Sequence, residues 1–356
     1  MDREIRAILA TVVHPEAEEN LVDGGFVDSI SADNDKVTVA LRFRKTRDPF
    51  AVKIKNRVEQ LLTEKYSDKT VTVFIKEGEN SAAKRKEQIE ELKRHTTTSA
   101  IGKVVAVASG KGGVGKSTVT SNLAAALAKM GYKVGVLDAD IYGPSQAKMF
   151  GVEEYLPDAV NVDGHDYIVP AEFGNIKIIS IAMFIRPTDA LLWRGTMANS
   201  ALRQLIHQTA WGELDYLLID LPPGTGDIHL SIISELKIDG AVIVSTPQQV
   251  AVADVVRGVE MFRNPNVNIP VLGVIENMSW FTPAELPNNR YYIFGNGGAA
   301  RYAESVGVEL LGQIPIIQSV MEGSDSGKPA VTTSSEVAEY YKQCALKVVE
   351  KLMKIC

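Results

Sequence analysis

The strand-forming run Lys103-Val104-Val105-Ala106-Val107-Ala108 leads into Gly110-Lys111-Gly112-Gly113-Val114-Gly115-Lys116-Ser117-Thr118. From Ser117 to Met130 an Ala/Leu-rich segment then carries apolar residues at helical spacing. A buried strand, a glycine loop matching G-x-x-x-x-G-K-[ST] and a helix in succession commit the chain to a phosphate-binding turn at a strand end. The glycines let backbone N–H groups close around phosphate oxygens, and the helix N-terminus adds a favourable dipole. Lys116 is expected to reach the β- and γ-phosphates, and the Ser117 hydroxyl to ligate Mg²⁺. The plain alternative, a Gly-rich turn without a ligand, is disfavoured by the strand and helix on either side.

From about residue 101 onward, strands and helices alternate. Strands are expected at 103–108, 133–138, 176–182, 215–220, 240–246, 270–276 and 309–314, most of them rich in Val, Ile and Leu with few polar residues. Such runs suit strands buried on both faces of a parallel sheet. The expected fold class is α/β, a doubly wound, mainly parallel P-loop NTPase sheet over 101–356, with a small N-terminal α/β domain over 1–78. In the small domain, helices are expected at Ile5 to Thr11 and Val52 to Tyr66, and strands at 37–43 and 71–75. The polar stretch from Glu77 to Ser99 has no core-forming pattern, and 79–100 is read as a linker.

Two acidic segments leave strand ends, where ligands of such sheets bind. Asp138 and Asp140 lie in Leu137-Asp138-Ala139-Asp140-Ile141-Tyr142-Gly143-Pro144-Ser145. They can serve the metal shell or the attacking water, or cap a helix. In Leu217-Leu218-Ile219-Asp220, apolar residues end in a carboxylate suited to hold Mg²⁺, so Asp220 reads as a Walker B residue. Pro222-Pro223-Gly224-Thr225-Gly226-Asp227 then forms a stiff loop with glycine pivots, able to sense a γ-phosphate and rearrange when it leaves. With the glycine loop, these residues point to ATP binding and slow hydrolysis.

Lys111, a second lysine just after the first glycine, resembles the deviant Walker A family of MinD, ParA, nitrogenase iron protein, arsenite ATPase and Mrp. That resemblance implies an ATP-bridged homodimer. Lys111 would reach the partner's nucleotide and stabilise transition-state charge, and Asp140 would orient the water. Trp193-Arg194-Gly195-Thr196-Met197, Glu276-Asn277-Met278-Ser279 and Ile293-Phe294-Gly295-Asn296-Gly297-Gly298 resemble, with the loops above, the Mrp (ApbC) branch of iron–sulfur cluster carriers. Asn277 would then contact the adenine, and recipient apo-proteins would be partners. The N-terminal unit is similar to the small iron–sulfur-assembly domain fused in this branch, whose D-P-E signature stands here as His14-Pro15-Glu16.

The chain departs from the branch in its cysteines. Trp280 to Tyr292, where a C-x-x-C is expected, contains none, and Thr46-Arg47-Asp48-Pro49 stands where the small domain has a cysteine before proline. Only Cys344 and Cys356 occur, which excludes a four-thiolate site within one chain. The two remain the candidate ligands for a cluster bridging a dimer.

A net charge of −6 argues against a sequence-independent nucleic-acid partner. No apolar run approaches the length of a membrane span, and no signal-type core follows the N-terminus, so the expected location is cytoplasmic. Three functions follow: an ATP-switched iron–sulfur cluster carrier or assembly factor, a cluster-free ATP-switched scaffold for the same assembly, and a MinD/ParA-like positioning ATPase. The third draws on apolar residues alternating with Lys342, Lys347, Lys351 and Lys354 in the C-terminal segment, which a docked helix would show equally.

Overall fold

The computed structural model describes every residue except 1, 34, 45–47, 77–99, 163, 185–194 and 356, with backbone alone at 195, 196, 227, 250–252 and 254. The expected linker up to Ser99, Trp193-Arg194 and Cys356 therefore lie outside the described residues, as does the side chain of Asp227. The rest divides into two compact units, one N-terminal and one holding the glycine loop.

The N-terminal unit carries helix Asp2–Leu9, β1 (Val27–Ala32), β2 (Lys36–Leu41), helix Ala51–Lys65 and β3 (Thr70–Ile75). β2 lies central, antiparallel to β1 and parallel to β3, so helix Ala51–Lys65 makes the crossover that a parallel pair requires. Ile54, Val58 and Leu62, four residues apart on one face, are buried. β1 escapes sequence reading because none of its residues is fully buried, so it shows no apolar pattern.

The two positions at which this unit departs from the signature it resembles, His14 and Asp48, meet. His14 Nε2 lies 3.0 Å from Asp48 Oδ2, and both side chains are 3% exposed. His14 Nδ1 accepts from the backbone N–H groups of Glu16 and Ala17, which leaves the proton on Nε2 to donate to Asp48. Asp48 Oδ1 accepts from Phe50 N at 2.9 Å, and the imidazole stacks on Phe26 with centroids 4.9 Å apart. Burying these polar groups is tolerable because nearly every polar atom finds a partner.

The strands that follow in the chain are β4 (Ile101–Ala108), β5 (Val134–Asp138), β6 (Ala159–Val162), β7 (His165–Ile168), β8 (Ala171–Phe173), β9 (Ile176–Ser180), β10 (Leu214–Asp220), β11 (Gly240–Ser245), β12 (Val271–Phe281) and β13 (Leu310–Ile316). All seven expected strands are present. The main sheet runs β13-β12-β11-β4-β10-β5-β9-β8 and is parallel from β13 through β9. From β4 the chain winds outward through β5 and β9, returns as β10 beside β4, then crosses to β11, β12 and β13. That reversal opens a crevice at the carboxyl ends of β4 and β10. The four-residue hairpin β6–β7 and the three-residue β8 are too short to show a period.

Helix Ser335–Lys354 docks against helix Lys116–Lys129 and β13. Its first turn is capped by Ser334 Oγ, which accepts from Val337 N. Val337, Tyr341, Cys344, Val348 and Leu352 are buried, and Lys347 and Lys351 pair with Glu309 at 3.5 and 2.8 Å. The apolar face is thus covered by the chain itself. Among the described residues no helix is long and apolar enough to cross a membrane.

Cys344 is at odds with its candidacy as a cluster ligand. It is 0% exposed, and its Sγ would lie 2.4 Å from a Cβ placed on Gly312. Burial pushes its thiol up to about 12, far from the thiolate that metals require. In a Cys356→Ser variant at pH 8, the native protein should release no chromophore from Ellman's reagent, and one equivalent after denaturation in guanidinium. Full reaction of the native protein within minutes would show that Cys344 is reachable.

Candidate nucleotide site

The glycine loop joins β4 to helix Lys116–Lys129 and lines a cleft of about 220 Å³ with Asp140, Ser145 and Pro223. Gly115 has φ +82°, and a Cβ there would sit 2.3 Å from Asn277 Nδ2, so the position admits only glycine. Asn277 Nδ2 donates to Val114 O at 2.9 Å, fastening β12 to the loop. The amide expected to meet adenine is, in this structure, engaged with the phosphate loop. Met278, the next residue, has φ +55°, an uncommon left-handed conformation for a non-glycine residue.

Lys116 is 6% exposed, and its ammonium lies between carboxylates. Nζ donates to Asp220 Oδ1 at 2.6 Å and stands 3.9 Å from Asp140 Oδ2. Asp220 is wholly buried. Its Oδ1 also accepts from Thr120 Oγ1 at 3.1 Å, and its Oδ2 from Gln146 Nε2 at 2.8 Å. Lys111 is half-buried in the same cleft and has no carboxylate partner among the described residues.

The two carboxylates after β5 divide the roles read from sequence. Asp138, fully buried, accepts from Ser145 N and Gln146 N at 2.9 and 3.0 Å, from Ser180 Oγ at 2.9 Å and from Asp140 N at 3.3 Å. It receives the amides that open helix Gln146–Met149, which is the capping role. Burial, reinforced by the charge of Asp220, pushes its carboxyl up to about 7. Asp140 faces the cleft, and burial raises its pKa while Lys116 opposes the rise.

Pro222 to Gly226 passes beside the glycine loop, with Gly224 N donating to Ser109 O at 3.0 Å. His229 lies beneath it, 1% exposed, with Nε2 donating to Pro222 O at 3.0 Å. Burial lowers its pKa, so the ring is neutral at physiological pH. On the other side, Glu276 Oε2 accepts from Ala299 N and Ala300 N at the start of helix Gly298–Ser305, and its Oε1 accepts from Gln313 Nε2.

Sequence reasoning did not find Thr120, Gln146, Ser180 or Glu276's partners. Thr120 had a signal, since it follows Lys116 by one helical turn and must share its face. Gln146 and Ser180 had none, because only the assembled sheet brings their segments to Asp220 and Asp138. Chemically, the oxygens of Ser117 and Asp220 form a hard donor set suited to Mg²⁺, and the Lys116 ammonium on Asp220 marks a carboxylate that already holds a cation. Among the described residues no group of three or more His, Cys, Asp or Glu side chains gathers as an all-protein metal site.

Residues 100–353 match the family described as NUBPL iron-transfer P-loop NTPase, and residues 2–73 the family described as iron–sulfur cluster assembly protein. The iron–sulfur cluster carrier protein of Aquifex aeolicus is 48% identical over 255 residues, covering 70% of this chain and 68% of that protein. The iron–sulfur cluster carrier protein of Haemophilus influenzae is 36% identical over 354 residues, covering 98% of this chain and 91% of its own. A nucleotide-binding protein from Archaeoglobus fulgidus, solved in complex with ADP, superposes with a TM-score of 0.59 at 39% identity, over 71% of this chain and 96% of that one. The first of these family models spans most of the chain, and the chain belongs to the NUBPL iron-transfer P-loop NTPase family.

Proposed function

We propose that this chain is an ATP-hydrolysing switch of iron–sulfur cluster carriage, closing as a homodimer with ATP between two copies. The observation that carries the reading is the Lys116 ammonium poised between Asp220 and Asp140 at the glycine cleft. A triphosphate entering the cleft offers Lys116 a stronger partner than a single carboxylate, so Lys116 turns to the β- and γ-phosphates and releases Asp220. Ser117 and Asp220 would hold Mg²⁺, which supplies charge neutralisation on the phosphates. Asp140 orients the water. As the water oxygen bonds to the γ-phosphorus, the bond to the β-phosphate oxygen breaks, and the water's proton passes to Asp140, whose raised pKa suits that role.

Lys111, without a carboxylate partner among the described residues, is available to a second copy's nucleotide. Loss of the γ-phosphate is sensed by the Pro222 to Gly226 loop, which Gly224 ties to Ser109. Asp227 closes that loop in sequence, Thr225 and Gly226 are exposed, and Gly110, Gly112, Gly113 and Thr118 complete the phosphate cradle. The cluster is the cargo, and recipient apo-proteins are the partners. The matches to carrier proteins and to an iron–sulfur assembly domain support that assignment, with the cytoplasm as its setting.

A second reading, the cluster-free scaffold, draws on a specific observation. The 280–292 segment has no cysteine, and Cys344 belongs to the core. On this reading the switch acts on a cluster held by another protein. The positioning-ATPase reading loses its motivating feature, since helix Ser335–Lys354 spends its apolar face on the chain and pairs two of its lysines with Glu309.

Lys116→Ala should reduce ATP turnover by at least about 100-fold, and unchanged turnover would refute the phosphate-loop assignment. Lys111→Ala should keep nucleotide affinity within about threefold while cutting turnover about 1,000-fold and abolishing ATP-dependent dimers in light scattering. Normal dimers and turnover would refute the trans lysine. Anaerobic reconstitution with iron and sulfide, then iron counting after gel filtration, separates the cargo readings. A stoichiometric cluster on the dimer sustains the carrier, whereas iron-free protein with intact turnover leaves the scaffold.

A further inference from the structure

Gln146 is a buried neutral side chain from outside the glycine-loop helix that touches both segments supplying the metal-side oxygens. It is 0% exposed and opens helix Gln146–Met149. Its Nε2 donates to Ser117 O at 3.0 Å and to Asp220 Oδ2 at 2.8 Å, so one amide group spans the glycine-loop helix and the tip of β10. Its backbone N–H goes to Asp138 Oδ2 at 3.0 Å. One residue thus places a donor on each of two buried carboxylates that repel each other. Its Oε1 is buried without a partner among the described residues. An unpaired buried carbonyl is destabilising, and an apolar side chain of the same shape would avoid it. The carboxamide therefore owes its place to its donor end.

The other contacts to Asp220 show what that donor end does. Lys116 and Thr120 both occupy Oδ1. Once Lys116 leaves for phosphate, Thr120 remains on Oδ1, and the donor on Oδ2 is Gln146. A carboxylate gripped at both oxygens keeps its plane, and its distance from the Ser117 segment, as the cation beside it changes. A metal ligand fixed in advance loses less freedom on binding.

We propose that Gln146 is a positioning residue for Mg²⁺: by clamping Asp220 Oδ2 to the Ser117 carbonyl it sets the metal affinity of the nucleotide site without touching metal or nucleotide. The proposal rests on the reading that Ser117 and Asp220 hold Mg²⁺. Gln146→Met keeps the shape and removes the side-chain N–H donors to Ser117 O and Asp220, leaving the backbone N–H on Asp138. Gln146→Glu keeps the length and puts acceptors where the donors were, and it replaces Gln146→Met as the probe if that variant fails to fold.

The readout is the affinity for a fluorescent ADP analogue, measured in EDTA and in millimolar Mg²⁺ on the full chain, with thermal melting as a folding control. The gain in affinity on adding Mg²⁺ should fall about tenfold in Gln146→Met, with affinity in EDTA held within about threefold. The Mg²⁺ concentration for half-maximal turnover should rise by a similar factor. An unchanged Mg²⁺ gain in a folded variant would overturn the proposal, and so would an equal loss of affinity with and without the metal. Asp220→Asn separates this failure from failure of the underlying reading. If that variant keeps the full Mg²⁺ gain, Asp220 does not serve the metal and the assignment beneath the proposal falls.

Discussion

The contact on which the site depends is the buried pair of Lys116 and Asp220, 2.6 Å apart. Each group would be costly to bury alone. Together they let a cation and an anion wait in the sheet's crevice without a ligand. The pair stands where β4 and β10 run side by side, so its geometry follows from the order of the strands. Asp220 is then fixed from every direction by Thr120, Gln146 and the ammonium, and Asp138 by the amides after Gly143. On the proposed function, nucleotide binding would be an exchange of partners within this lattice, with phosphate taking Lys116 and the freed carboxylate serving the metal.

From the lattice, connections run outward through side chains with defined partners. Asn277 ties the glycine loop to β12, whose far end reaches Trp280 and Phe281 and the segment where the family resemblance leads one to expect a C-x-x-C. Gly224 and His229 tie the switch loop to β4 and to helix Asp227–Glu235. Cysteine is absent from the segment beyond β12, yet Asn277 and the left-handed Met278 still link it to the nucleotide loop. Either cargo reading can use that link, since both need the nucleotide state felt at a distance.

The fold was legible because its strands are nearly pure Val, Ile and Leu and because a doubly wound sheet leaves few other arrangements for them. β12 runs five residues past its expected end, since Glu276-Asn277-Met278-Ser279 is polar and its burial arises from helix Gly298–Ser305 and the glycine loop. The site was legible where chemistry is local. Lys116, Ser117 and Asp220 are fixed by spacing or by a strand end. Asn277's contact with Val114 and Gln146's contact with Asp220 span 163 and 74 residues, and no local pattern encodes them. The same holds for His14 and Asp48, two departures from a family signature that make sense only once seen to touch.

The central claim is that Asp220 competes with phosphate for Lys116 until a metal takes its place. Its most direct test is the affinity of Asp220→Asn for ATP in EDTA, where no metal can bind. Removing the carboxylate frees the ammonium and removes an anion facing the triphosphate, so metal-free ATP should bind tighter, by about tenfold. Equal or weaker binding in a folded variant would mean that Lys116 is not held back by Asp220, and the exchange described here would be wrong.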